Sequence, residues 1–260
     1  MKIEINNLSV SYSSGMFSRR EPTKALDGIN LSIPAGCTMG IVGESGSGKS
    51  TLGRVLLRML TPTKGHIHIA ETDPYALKGK DLFEFRRQVQ AVFQDSGASL
   101  NPRQPVGISI REGLDIHRVG TNSSRDEAVI ALLEKVGLAA DYYDRLPHTL
   151  SGGQRQRINI ARALALSPSV LIADEPVSAL DISVQSQILE LLSDLRRQTG
   201  MTMVFISHDL GVVRELCDRV AIMHRGHLVE EGSVEQVFNA PRHPVTQGLL
   251  SDMPSLDLPN

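Results

Sequence analysis

The chain opens with a period of two. In KIEINNLSVSYS the apolar residues Ile3, Ile5, Leu8 and Val10 fall on sheet faces, which predicts a strand near the start. The polar stretch from Ser13 to Thr23 reads as a loop, and ALDGINLSIPAG returns to strand and turn. CTMGIVG is a short apolar run, the pattern of a buried strand, and it feeds the glycine-rich GESGSGKST. STLGRVLLRML then places apolar residues at helical spacing, predicting a helix that TPTKG stops, and HIHIA alternates again as a strand.

Between Ser96 and Ser167 strand signals fade, and the stretch reads as a helical insertion. SRDEAVIALLEKVGL predicts an amphipathic helix started by Ser123 or Ser124, with Gly137 near its end. SVLIADEP is almost wholly apolar, as in a strand buried on both faces of a parallel sheet. SVQSQILELLSDLRRQTG predicts a helix ending at Gly200, MTMVFISH another buried strand and DLGVVRELC a helix. VAIMHRGHLVEEG reads as a hairpin turning at Arg225 and Gly226, and the proline-rich, polar tail from Asn239 is expected to lie over the surface.

Composition narrows the class. With 260 residues the chain can bury one substantial core with room for a smaller subdomain. Apolar residues at 41%, charged residues at 22% and a formal charge of -2 describe a soluble globular protein and exclude a broad basic field for nucleic acid. No apolar run approaches the roughly 18 residues of a membrane span, and MKIEINNLSV lacks a signal pattern, so a cytoplasmic chain is expected. Cys37 and Cys217 stand in different segments, which excludes a cysteine metal cage and suggests core thiols. His66 and His68 alternate on one strand without a third ligand in reach and read as surface residues.

The candidate chemistry lies at strand ends and glycine turns. Gly43, Gly48, Lys49 and Ser50 match G-x-x-x-x-G-K-[ST] between a strand and a helix. In such a turn glycines let backbone N–H groups face phosphates, the lysine meets the β and γ phosphates, and the serine hydroxyl reaches Mg²⁺. Glu44, Ser45, Gly46, Ser47 and Thr51 make up the rest of the cradle. A purely structural glycine turn is the bland alternative.

Asp174 and Glu175 end the strand VLIA, where burying carboxylates without a partner is costly; a metal for Asp174 and a reacting water for Glu175 are the natural explanation. His208 follows MTMVFIS and could contact a γ phosphate, while Gln94 in VFQD could offer its amide oxygen to Mg²⁺. Each reads as structural when taken alone. TLSGGQRQRINIARAL is a second glycine turn opening a helix, and so a second anion site. Either it is structural, or two chains share a nucleotide.

In order along the chain, these pieces resemble the nucleotide-binding subunit of an ABC transporter. The matching motifs are the Walker A turn at 43–51, the Q-loop Gln94, the signature LSGGQ, the Walker B strand VLIADE, the SALD D-loop and the switch His208. The resemblance implies an α/β P-loop NTPase fold with a mixed sheet core, an antiparallel β subdomain and a helical subdomain (Ser96 to Ser167), in a single domain over 1–260. It implies ATP and Mg²⁺ as cofactors, with Ser50, Gln94 and Asp174 toward the metal and Tyr12 stacked on adenine. Without the family, Tyr12 would read as a half-buried strand residue. The resemblance further implies that two such subunits pack head to tail, with Ser151, Gly152, Gly153 and Gln154 completing the partner's site and Asp181 communicating between sites.

QDSGASLNPRQPV and the tail NAPRHPVTQGLLSDMP resemble the dipeptide, oligopeptide and nickel importer group, with Val245 where that group commonly has tyrosine. The tail has no cysteine, so no iron–sulfur cluster is expected. The implied partners are membrane permease subunits, a second nucleotide-binding subunit and an external substrate-binding protein, with no nucleic acid. The implied place is peripheral, on the cytoplasmic face of the inner membrane, with a permease helix docking between Gln94 and Glu112. An exporter ATPase or a soluble ABC ATPase is the alternative, and peptide, nickel or metal-chelate cargo is left open.

Overall fold

A computed structural model describes residues 1–12, 23–94, 97, 99–178 and 180–252. The loop expected at Ser13 to Thr23 lies almost wholly outside them, as do Ser96, Ala179 of the SALD motif and the last residues of the tail. The elements are β1 (Ile3–Tyr12), β2 (Thr23–Ile33), β3 (Thr38–Val42), α1 (Lys49–Leu56), β4 (Lys64–Ile69), α2 (Gly79–Gln88), β5 (Val89–Val92), α3 (Val106–Ile116) and α4 (Asn122–Lys135). There follow α5 (Gly152–Leu164), β6 (Val170–Asp174), α6 (Ile182–Thr199), β7 (Thr202–Ser207), α7 (Leu210–Leu216), β8 (Arg219–His224), β9 (His227–Ser233), α8 (Val234–Asn239) and α9 (Pro244–Ser251). Contacts divide the chain into two compact units, Lys2–Tyr75 with Val204–Asn260, and Met1 with Ala76–Met203.

In the first unit β1 pairs antiparallel with both β2 and β4, setting Ile3 against Ile33 on one side and Ile69 on the other. Ile3, Ile5, Leu8 and Val10 are all buried, as the alternation predicts. β3 is buried at every position and runs parallel to β8, which turns into antiparallel β9, so both pairing modes occur. A Cβ on Gly40 of β3 would come 2.6 Å from Val213 Cγ1, so the missing side chain lets α7 lie directly on the strand.

The helix after the glycine turn is shorter than its periodicity suggests. α1 stops at Leu56, and Arg58 takes a left-handed φ of 54°. The hydroxyl of Tyr75 lies 2.8 Å from Val55 O and 2.6 Å from Leu60 O, sharing its proton between carbonyls at the helix end. Local bonds from Arg58 N–H to Val55 O (2.9 Å) and Met59 N–H to Arg54 O (2.8 Å) close the helix, and Tyr75 adds a partner distant in sequence. The tail lies over the surface as expected and carries a helix. Pro244–Ser251 forms α9, capped by His243 and anchored where Glu230 accepts from the N–H groups of Arg242 (2.9 Å) and His243 (3.0 Å).

In the second unit β5 runs parallel to β6, pairing Val89 with Val170 and Val92 with Ala173. α3, α4 and α5 make up the helical stretch, tied by ions as well as by apolar packing. Arg111 donates to Asp126 (2.6 Å) and Asp115 (3.2 Å), Arg125 to Asp115 (2.8 Å), and the Tyr143 hydroxyl to Asp126 (2.6 Å). α4 begins one residue before Ser123, with Thr121 as its cap. The Thr121 hydroxyl accepts from Ser124 N–H (3.3 Å) and the Ser124 hydroxyl from Thr121 N–H (2.8 Å), so Ser124 is the reciprocal partner and not the cap. α2 and β5, which the sequence reading did not assign, occupy the gap after β4.

Candidate functional site

The phosphate-type turn is built by close backbone packing within the first unit. β3 ends at Val42, and a Cβ on Gly43 would lie 2.1 Å from the carbonyl of Met223 in β8. Gly48 has φ 106° and would collide with Ala25 O at 2.5 Å. Glycine at these positions is required by the neighbouring chain and by the backbone angle together. Lys49 is buried, and its Nζ donates to Gly43 O (2.6 Å) and Glu44 O (2.9 Å), spanning the turn from its first residue to the first turn of α1.

The hydroxyl of Ser47 is buried in this turn, and among the described residues its oxygen has no partner. An isolated buried hydroxyl is costly, and the site fits a polyoxyanion that would receive it. Tyr12, at the end of β1, is 42% exposed, and its hydroxyl stands 3.5 Å from Thr51 Oγ1, next to the cradle. The ring is thus exposed and not half-buried. His208 is exposed directly after β7, and Asp209 fixes the backbone there by capping α7 through Gly211 N–H (2.8 Å) and Val212 N–H (3.3 Å).

The second unit holds Gln94, Asp174, Glu175, the signature turn and Asp181. Asp174 and Glu175 are half-buried at the end of β6, and Glu175 has φ 48°, a left-handed angle that costs a non-glycine residue about 1 kcal/mol or more. Gln94 Nε2 donates to Ser178 Oγ at 3.1 Å, and that hydroxyl in turn donates to Glu175 O at 3.2 Å. The Gln94 amide is therefore oriented with its nitrogen on Ser178. Sequence reasoning did not single out Ser178 as a site residue, because nothing in its own neighbourhood shows that a distant glutamine reaches it.

Ser151 caps α5, and its hydroxyl accepts from Gln154 N–H (3.3 Å) while Gln154 Oε1 accepts from Ser151 N–H (2.9 Å). Gln154 Nε2 also donates to the Tyr142 hydroxyl at 2.8 Å, so this side chain braces the turn. A Cβ on Gly153 would lie 2.4 Å from Val184 Cγ1, whereas one on Gly152 would find Leu180 at an ordinary 3.6 Å. Internal packing explains Gly153 and leaves Gly152 to another cause. Asp181 caps α6, accepting from Val184 N–H at 3.0 Å and Ser183 Oγ at 2.8 Å, and these bonds hold its carboxyl below the usual carboxylate range. Among the described residues no helix is long and apolar enough to cross a membrane, and no cluster of His, Cys, Asp and Glu could hold a metal unaided.

Comparison with known proteins places these observations. The family description "ABC transporter" matches residues 26–178. The oligopeptide transport ATP-binding protein OppF of Streptococcus mutans is 46% identical over 98% of this chain and 82% of its own. The dipeptide transport ATP-binding protein DppF of Escherichia coli is 48% identical over 94% of this chain and 73% of its own. Among solved structures, an ATP-binding cassette described as a dimer in a post-hydrolysis state bound to ADP and Pi superposes with a TM-score of 0.79 at 30% identity, covering 89% of this chain and 98% of that one. The structure of cbiO1 from Clostridium perfringens, part of the ABC transporter complex cbiONQ, gives 0.80 at 30% identity, covering 92% of this chain and 90% of that one. The chain belongs to the ABC transporter family, as an ATP-binding, ATP-hydrolysing subunit that powers an ABC importer.

Proposed function

We propose that this subunit powers import of peptides through a membrane permease, working as one of two nucleotide-binding subunits that close on ATP at the cytoplasmic face. The peptide assignment is supported by the names of its relatives and by the tail that begins APRHP. The observation that carries the ATP site is the buried Ser47 hydroxyl, without a protein partner among the described residues, inside a turn where Gly43 and Gly48 admit no side chain.

In this reading the turn Gly43–Thr51 receives the phosphates, with Lys49 directed at the β and γ positions and Tyr12 stacked on adenine. Ser50, Gln94 and Asp174 hold Mg²⁺, which when bound neutralises charge on the phosphate oxygens. Glu175 polarises the attacking water and accepts its proton, and His208 contacts the γ phosphate. Ser178 keeps the Gln94 amide oriented so that its oxygen serves the metal. Ser151 and Gly152 present the N-terminus of α5 to the nucleotide of the second subunit, while Gln154 and Asp181 hold that surface in shape. ATP joins the two subunits and its hydrolysis releases them, so the difference in affinity between the ATP and ADP states drives the permease. An external binding protein delivers the peptide.

The test is uptake of labelled dipeptide and labelled nickel in cells carrying either the native chain or Lys49→Ala. Loss of dipeptide uptake alone supports the proposal. Loss of nickel uptake alone moves the cargo to the metal, and two unchanged uptakes remove the import assignment of this gene product.

A further inference from the structure

The connection between β8 and β9 is a two-residue turn in which Arg225 (φ 47°) and Gly226 (φ 82°) are both left-handed, with His224 paired to His227 across it. This is the twist-matched hairpin turn, and the hairpin alone accounts for a glycine at its second central position. It does not account for what that glycine touches. In a free hairpin the central peptide groups face water, but Gly226 is buried and uses both of them on other segments. Its N–H donates to Ser47 O at 3.0 Å, and its carbonyl accepts from Asp27 N–H at 2.9 Å.

Ser47 O belongs to the peptide group that carries the N–H of Gly48. The two point in opposite directions across one plane, so holding the carbonyl from behind aims the N–H forward into the cradle. Two more backbone oxygens stand behind the same turn: Met223 O, 2.1 Å from where a Gly43 Cβ would be, and Ala25 O, 2.5 Å from where a Gly48 Cβ would be. A Cβ on Gly226 would itself lie 3.0 Å from Ala25 O and 3.3 Å from Ala25 C. The tip of the hairpin is thus wedged between β2 and the phosphate-type turn, with no room to spare.

We propose that Gly226 is a positioning residue for nucleotide binding: the β8–β9 turn is the template against which the phosphate-binding turn sets its amide directions. The proposal rests on reading Gly43–Thr51 as the nucleotide cradle. A side chain at position 226 pushes the tip back from Ala25, lengthens the bond to Ser47 O and frees the 47–48 peptide to rotate. The phosphates shared by ATP and ADP then lose an aimed donor.

Equilibrium binding of ATP and ADP to the full chain tests this, using Gly226→Ala, Gly226→Asn, Gly200→Ala and Lys49→Ala beside the native protein. Asparagine tolerates left-handed backbone, so Gly226→Asn isolates the push of the Cβ from the cost of the angle and decides the matter if Gly226→Ala does not fold. Gly200, the cap of α6, has φ 64° and open space around its Cβ, so its alanine variant reports the cost of the angle alone. Both Gly226 variants are expected to bind ATP and ADP about tenfold more weakly, with Gly200→Ala unchanged at temperatures where all are folded. Native affinity in Gly226→Asn overturns the proposal. Native affinity in Lys49→Ala instead removes the reading of the cradle on which it stands.

Discussion

Two glycine-rich turns that open helices, Gly43–Lys49 and Leu150–Gln154, look alike as strings and differ as structures. In the first, Gly43 and Gly48 are pressed from behind by the backbones of Met223 and Ala25, and Gly48 adopts a left-handed angle. The turn curls into a cradle complete within its own unit. In the second, Ser151 is an N-cap and both glycines are already helical, so what the turn offers is the open end of α5 with its outward N–H groups. One curls around a space; the other presents an open helix end. Gly152 has no steric need to be glycine from inside, which the proposed close approach of a second subunit would explain.

The largest effect is expected from Gly43→Ala, whose Cβ would stand inside contact distance of a carbonyl that cannot move without breaking β8. Loss of ATP binding and a stability loss above about 3 kcal/mol should appear in nucleotide titration and chemical denaturation. ATP binding at native strength would show that the turn is less tightly templated than its contacts indicate.

Glu175→Gln keeps the shape and removes the base, so ATP should hold two subunits together without turnover. Light scattering of the variant, alone and with its companion subunit, should give the mass of a pair with ATP and not with ADP. A single-subunit mass under every condition would separate the two turns functionally and break the comparison.

Gly152→Ala and Gly153→Ala sharpen it within one motif. The Gly153 variant should lose about 1–3 kcal/mol of stability from the clash with Val184. The Gly152 variant should keep its stability to within about 0.5 kcal/mol, bind ATP as the native subunit does, and lose about tenfold or more in turnover of the assembled transporter. Equal losses of stability in both would mean that internal packing alone chose the two glycines.

Ser178→Ala should lower kcat by about threefold to tenfold with ATP affinity unchanged, since only the aim of the Gln94 amide is lost. Ser178→Thr, which keeps the hydroxyl, should restore it. The smallest effect concerns the tail. Burial pushes the Glu230 carboxyl up, but its hydrogen bonds, those from the N–H groups of His243 and Arg242 among them, outweigh this and leave it below the usual value. The folded value lies below the unfolded one, so the clamp's contribution is fully present at neutral pH and is lost as pH falls through the folded value. Exchange protection of α9, corrected for intrinsic rates, should fall below about pH 4.5, and Glu230→Gln should flatten that acid limb.

The legible part of this protein is local in origin. Alternation in β1, the apolar runs of β3, β6 and β7, the hairpin tip at Arg225 and Gly226, and the residue types of the motifs follow from side-chain period and turn chemistry within a few positions. The chain order of those motifs was enough to indicate the family. What tertiary structure decided is where distant segments meet. The Tyr75 hydroxyl reaches back to the carbonyls at the end of α1, and Glu230 anchors the backbone just before α9, whose cap is His243. Gln94 is aimed by Ser178, Gly153 is demanded by Val184, and Gly226 is wedged behind Ser47. Each is a hydrogen bond or close approach between residues far apart in the chain. Such contacts leave no periodicity at either end, so they enter only when the backbone has closed on itself.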